Sequence, residues 1–558
     1  MIPSVAMRIP VLVVLAGLAI ACGDKKPKAG GEGDTGGTVV IAMASDPGAI
    51  FPPFAFTNYG RMIASQIYDH LADVGPGMNT IGDAGFVPQL AERWEWSKDS
   101  LSIAFHLHPR ARWHDGQPVT ARDVKFTLAL YANPDLGGQT VHEHARIDSV
   151  TAPDSLTVVY WFANRSPVQF LDAAAQVQIL PAHLLEGIPV KSLREANPPL
   201  IGSGRFRLKR WEKGSSGELI ADSGNFRGRA MVDRVVWTTS AGATSSAAKL
   251  LSGEADVFDA MRPEDVREAS RNESVRVIGL PGLDYVFVNF NLRSPANNER
   301  PHPLFGDREL RRAIAMSVDR AQIVRSILDT FALVAVGPTV RAYPTTDSLV
   351  AQLPFDTVRA KRTLDSLGWR NRDPRGIRMR GDRPLAFTLI VPSRSVSRAR
   401  AAVLIQAQLK RVGIQVDIEQ MDNSAFSERW RSRKFDAAFG TWNMGSTPGA
   451  TVQTWTTSGA APDGNNYGTY SNPAFDAAVD SALSATDRGR ARAFFTRAYE
   501  IINEDAPAIW VYEPMNLIGI HTRVHTTPMR RGAWWFGLAD WSIPVAERIP
   551  RDKISSAR

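Results

Sequence analysis

Between Thr38 and Trp510, strand-like runs alternate with helix-like ones, and this alternation narrows the possible folds more than any other feature of the chain. Thr38–Met43, apolar at every position after Thr38, reads as a short buried strand. Leu101–Leu107 alternates apolar and polar residues with the period of a half-buried strand. Ser155–Trp161, Tyr285–Asn291 and Leu385–Val391 are further strand-like runs. Met62, Ile63, Ile67 and Leu71 recur at helical spacing. Helices are also predicted at Ala121–Tyr131, Glu309–Ile327, Thr357–Leu367, Arg398–Val412, Pro473–Ala485 and Arg488–Glu504. Such an order predicts mixed α/β lobes. No repeat of fixed period is present, and 558 residues are too many for one core.

The N-terminus has a different character. Arg8 precedes the apolar run Ile9–Ala21, too short to span a bilayer but suited to a signal-peptide core. Met7 offers an alternative start. The run ends in Ala19-Ile20-Ala21-Cys22, and Cys22 is the single cysteine. Small residues before a cysteine resemble the bacterial lipobox, so residues 1–21 read as a lipoprotein signal and Cys22 as the lipidated residue. An intramolecular disulfide is excluded. Residues 22–37 are rich in glycine and lysine and read as a flexible tether reaching on the order of 20 Å. The formal charge of +8 is spread over many arginines, without a basic block interleaved with aromatics. A solvated basic surface, and no nucleic-acid partner, is the expectation.

Several segments carry recognisable local chemistry. Trp113-His-Asp-Gly-Gln-Pro-Val-Thr-Ala-Arg-Asp-Val124 places an Asp115-Gly116 turn before a helix opened by Thr120, with Asp123 three residues on. Leu90–Trp96, Ile201-Gly-Ser-Gly-Arg-Phe206, Leu250–Asp256 and Val288–Leu292 follow in order. Beyond them lie Asp307–Arg320, Leu367-Gly368-Trp369, Leu404–Val416, Tyr470–Asp476 and Glu504–Trp510. Most have a structural reading: Asn472-Pro473 is a turn, Gly368 suits a left-handed helix end, and Arg311, Arg312, Asp319 and Arg320 suit ion pairs. Taken in order, they resemble the peptide/nickel-type extracellular solute-binding proteins (family 5) of ABC importers.

The resemblance implies an α/β, two-lobed class II periplasmic-binding-protein fold with an inserted subdomain in the first lobe. The first lobe would start at 38–72, take its insertion at 73–199 and continue over 200–283. The second lobe would cover 284–506, and 507–558 would return to the first. It also implies a monomer that captures a small solute or peptide between the lobes, passes it to an ABC permease and ATPase complex, and is held to the membrane by its lipid. In peptide-binding relatives an aspartate shortly after a Gly-Trp pair holds the ligand's ammonium; here Gly440–Pro448 keeps Trp442 but has no acid between Trp442 and Pro448. Trp442 is the first candidate contact, giving apolar area and an N–H donor. Asn443, Ser446, Asp46, Phe51, Phe54, Tyr285, Asn289 and Trp455 are the others.

No cofactor motif is present, and no H-E-x-x-H, G-x-S-x-G or Walker sequence. His106 and His108, and His142 and His144, are the closest histidine pairs, without further ligands in register, so no metal is expected. A secreted hydrolase, or a ligand-sensing receptor on the same fold, is the alternative.

Overall fold

The computed structural model describes residues 35–136, 147–445, 447–462 and 464–553. Cys22, Ser446, His142 and His144 lie outside the described residues.

A 12-stranded sheet runs through the molecule. At one end Gln415–Met421, Ala386–Pro392, Ala437–Asn443 and Asp284–Phe290 lie side by side. At the other are Val257–Phe258, Thr38–Met43, Arg234–Thr239, Ser216–Ala221 and Phe206–Glu212. One strand, Ala508–His521, belongs to both. Its residues Ala508–Tyr512 pair with Asp284–Phe290, and Met515–His521 pair with Val275–Pro281. The chain therefore passes between the two halves at two neighbouring places, Gly282–Leu283 and Glu513–Pro514. The Gly282 amide donates to the Pro514 carbonyl, and a β-carbon on Gly282 would sit 2.7 Å from that oxygen.

Strand periodicity decides what each half buries. Val286, Val288 and Phe290 face one core, made with Ile314, Ile405 and Leu409, while Tyr285 and Phe287 face the opposite side. Thr38–Met43 is buried at every position: Val39, Ile41 and Met43 enter one core, Val40 and Ala42 another. This is the expected signature of a strand covered on both faces.

The region 72–199 holds a separate antiparallel sheet, Ala91–Trp96, Ser102–Leu107, Thr157–Phe162 and Ile147–Thr151, with the helix Ala121–Ala132. Asp123 closes the capping box on the Thr120 amide at 2.8 Å. The chain rejoins the larger sheet through Gly202 and Gly204, where a β-carbon would lie 1.9 Å and 2.3 Å from the carbonyls of Ile67 and Gln66. The Ile201–Phe206 motif is thus a close backbone crossing that only glycine permits.

The structure divides one predicted helix. Glu309–Ile327 is two helices, Arg308–Met316 and Arg320–Ile327, because Asp319 leaves helical geometry and caps the second through the Gln322 amide. Leu71 falls beyond the helix Asn58–Ile67. Gly368 takes the left-handed conformation, φ +86°. Among the described residues Arg311 makes no ion pair; it donates to the Phe305 carbonyl and to those of Asp505 and Ala506 at the C-terminal end of the helix Arg488–Asp505. Arg312 pairs with Glu309 and Glu504 as expected. Among the described residues, no helix is long and apolar enough to cross a membrane.

Candidate ligand-binding site

A cavity of about 710 Å³ opens between three parts of the chain that are remote in sequence. The loop after the first strand contributes Pro52, Pro53 and Phe56, residues around Met78, Tyr131 and Leu171 form a second wall, and the tail 527–540 forms the third. Leu283, at the first crossing, also lines it. Its volume falls in the range of ordinary ligand sites.

The tail supplies cations and aromatic rings together. Arg530 donates to Asp73 Oδ1 at 2.8 Å and to the Val74 carbonyl, and its guanidinium lies 4.6 Å from the Phe536 ring centre. Burial pushes the Asp73 carboxyl up, but Arg530, with help from His70, holds it below the usual carboxylate range. Burial keeps His70 itself below the ordinary histidine value and so neutral at pH 7. Arg205 pairs with Asp540, and Arg227 with the buried Asp69. A cationic cavity with apolar walls results.

The strands at the crossing lie beside Leu283. Asp284 and Asn443 are register partners, and Asn443 Nδ2 donates to Asp284 Oδ1 at 3.2 Å. Burial pushes the Asp284 carboxyl up, and the Asn443 bond only partly offsets it. The Met444 amide donates to the Leu283 carbonyl, which holds Met444 beside a residue that lines the cavity. The Tyr343 hydroxyl lies 2.8 Å and 3.0 Å from the Gly445 and Thr447 carbonyls.

Of the residues the sequence nominates, Trp442 and Asn443 lie on the strand paired with Asp284–Phe290, next to this crossing, and neither lines the cavity. Trp442 is half-buried, with an enclosed Nε1 that has no hydrogen-bond partner among the described residues. Phe51 and Phe54 occupy the predicted loop but turn into the core; their neighbours Pro52, Pro53 and Phe56 meet the cavity. Asp46 is spent on the backbone, accepting from the Gly48 and Gly214 amides at 2.6 Å and 2.8 Å.

Tyr285, Asn289 and Trp455 are packed inside. Trp455 Nε1 donates to the Tyr285 hydroxyl at 2.8 Å, and Asn289 Oδ1 accepts from Trp430 at 3.1 Å. Strand alternation explains their placement, since odd-numbered positions of Asp284–Phe290 face the aromatic core with Phe287 and Trp510. His106 and His108 do not act as a pair: His108 accepts from the Arg110 amide, whereas His106 lies near Glu95.

Sequence reasoning returned the tail 507–558 to the first lobe but nominated none of its residues for the cavity. Its signal was Met529-Arg-Arg-Gly-Ala-Trp-Trp-Phe536, a cationic and aromatic run flanked by no periodic element. Asp284 was missed because only sheet register brings it to Asn443.

Two α/β halves joined by adjacent crossings, with a cavity lined by Leu283 at one of them, define a two-lobed solute-binding protein. Residues 85–463 match the family described as bacterial extracellular solute-binding proteins, family 5 (middle), and the chain belongs to that family. The oligopeptide-binding protein AppA of Bacillus subtilis is 26% identical over 524 residues, 91% of this chain and 93% of AppA. Its structure, solved with a nonapeptide, has a TM-score of 0.72 at 25% identity, covering 92% of this chain and all of that one. Two structures share the fold at lower identity: the ABC transporter substrate-binding protein CtaP of Listeria monocytogenes (TM-score 0.78, 22% identity, 91% and 100% coverage) and NikZ of Campylobacter jejuni with Ni(L-His) (0.74, 21%, 90% and 99%).

Proposed function

We propose that this protein is the extracytoplasmic substrate-binding component of an ABC importer, and that its ligand is a peptide or peptide-like compound. One observation carries the reading: a cavity of about 710 Å³ reaches the lobe crossing in a chain similar to an oligopeptide-binding protein along nearly all its length. Trp442 and Asn443 would contact the ligand beside the crossing, with Pro52, Phe56 and the tail 527–540 along the cavity. Ser446 remains a candidate by its place in the sequence. Asp284 would be the carboxylate for a ligand ammonium near this segment, since its hydrogen-bond donor among the described residues is the neutral Asn443 amide.

In this reading the first lobe comprises 38–72 and 200–283 with 73–199 inserted, and the second comprises 284–506. The tail from 507 crosses back at Glu513–Pro514. The protein acts as a monomer that closes on its ligand and hands it to a permease and ATPase complex.

Peptides should raise the melting temperature; saturation at 100-fold above Kd adds about 2.7 kcal/mol to native stability. Trp442→Ala should weaken that binding by about 2 kcal/mol if the ring is an anchor, leaving the ligand-free melting temperature nearly unchanged. No shift with any peptide from two to ten residues would reject the peptide reading.

We further propose that Cys22 carries the lipid that anchors the protein, since it is the single cysteine and follows an apolar run of subspanning length. Two acyl chains suffice for stable attachment. Cys22→Ser should release the protein into the soluble fraction; a variant still bound to membranes after a high-salt wash would rule the anchor out.

A further inference from the structure

The helix Val396–Arg411 packs beside the edge strand Gln415–Met421 of the large sheet and has two unlike sides. Inward, Ala401, Ala402, Ile405 and Leu409 enter the core that holds Val286 and Val288. Outward, Val396, Arg400, Val403, Ala407 and Lys410 follow at helical spacing and are all exposed, the two valines at 60% and 53%. Four of its 16 residues are cations and none is an acid. Arg398 donates to the Phe439 carbonyl at 3.1 Å. The side chains of Arg400, Lys410 and Arg411 have no partner among the described residues. The acids of the adjoining strand are engaged elsewhere: Glu419 pairs with Arg429 at 2.6 Å, and Asp417 accepts from the Gln415 side chain at 3.0 Å.

A solvated helix ordinarily sets acids three or four residues from its cations, which offsets like-charge repulsion. This one keeps a single sign and places apolar side chains between the charges, the composition of a helix that lies in the headgroup plane of a bilayer. A second helix over the same core, Thr357–Ser366, has the same character. Its Val358 is 59% exposed one turn from Lys361 and Arg362, and its one acid, Asp365, is paired with Arg378. The stripe suits a plane better than a protein. Protein interfaces are anchored by bulky side chains seated in pockets, and valine and alanine supply no such anchor. Anionic headgroups offer charge at one depth with apolar chains just beneath, which matches long cationic side chains beside short apolar ones. The tether before Thr35 keeps the body within reach, on the order of 20 Å.

We propose that the outer face of Val396–Arg411 is a second membrane contact, which docks reversibly on anionic lipid headgroups and so orients the tethered protein on the bilayer. The proposal goes beyond the importer and anchor readings. It needs no bound solute, and the chain that tests it carries no lipid, so its failure leaves both readings standing.

The soluble chain from Gly23 onward is mixed with vesicles of phosphatidylcholine, alone or equimolar with phosphatidylglycerol, and sedimented. At low salt wild type should follow the anionic vesicles roughly tenfold better than the neutral ones, and high salt should remove that excess. Arg400→Gln with Lys410→Gln and Arg411→Gln should weaken binding to anionic vesicles roughly a hundredfold. Lys98→Gln with Arg267→Gln and Arg271→Gln removes the same charge from exposed positions elsewhere and should change binding less than about threefold. Because the soluble chain has no cysteine, Val403→Cys is a unique site for an environment-sensitive fluorophore. Its emission should rise on anionic vesicles and stay flat on neutral ones. No preference for anionic vesicles overturns the proposal. Equal weakening by the two triple variants also overturns it and assigns binding to net charge. Sedimentation with a silent label at 403 overturns it too, and places the contact on another face.

Discussion

Arg523→Met should cost about 4 kcal/mol of stability and lower the melting temperature more than any substitution on the cavity wall. Arg523 is 4% exposed and sits between two carboxylates that are fully buried. It donates to Asp256 at 2.7 Å and 2.9 Å, to Asp552 at 2.7 Å, and to the Thr38 carbonyl at 2.9 Å. Asp552 in turn accepts from the Thr38 amide at 2.7 Å, and Asp256 from the Val40 amide at 2.8 Å. Methionine keeps the length of the side chain but leaves Asp552 buried without its guanidinium, and an uncompensated buried charge is among the costliest defects. Asp256 is cushioned because Arg551 also reaches it, at 2.6 Å. Urea denaturation is the measurement. A loss under 1 kcal/mol would mean that water enters the site and solvates both acids.

Glu513→Ala should cost about 3 kcal/mol, and its pH dependence should identify the cause. Glu513 lies in the second crossing and accepts from the Val336 amide, the Arg341 amide and the Arg341 guanidinium, at 3.3 Å, 2.9 Å and 2.7 Å. Alanine leaves two backbone donors unmatched. Burial pushes the carboxyl above the ordinary glutamate value despite Arg341. A raised folded value means that the native state binds the proton more tightly than the unfolded chain. The group's contribution is therefore complete below the ordinary glutamate value and shrinks as pH rises through the folded one. The penalty of Glu513→Ala should be larger at acid pH than at neutral pH. A penalty that grows toward neutral pH would mean that the Arg341 pairing outweighs burial.

Elements with a strong period or an explicit cap were legible in the sequence. Thr38–Met43 appears with its predicted limits, and Thr120 with Asp123 opens the predicted helix. The break at Ser317–Asp319 was hidden because the apolar spacing continues across it, and only the cap at Asp319 marks it. The candidate cavity was legible in one segment, the loop after the first strand, which reaches it through Pro52, Pro53 and Phe56. Which side chains turn outward was not legible: Phe51 and Phe54 are more apolar than Pro52 and Pro53, yet the ring pair packs against Tyr68 and the prolines meet the cavity. The tail arginines escaped notice because their role depends on Asp73, more than four hundred residues earlier.

The strand Ala508–His521 gives the molecule a property that two lobes on a flexible linker would lack. Its backbone hydrogen bonds complete the ladder of each half, so neither half keeps its sheet if that strand is lost. Unfolding of one lobe strips an edge from the other, and the two melt as one cooperative unit. Stabilisation gained at the cavity is then shared along the strand. A ligand touching only the first lobe still slows the opening of Asp284–Phe290 and its neighbours, and amide exchange in the distant lobe becomes a reporter of occupancy.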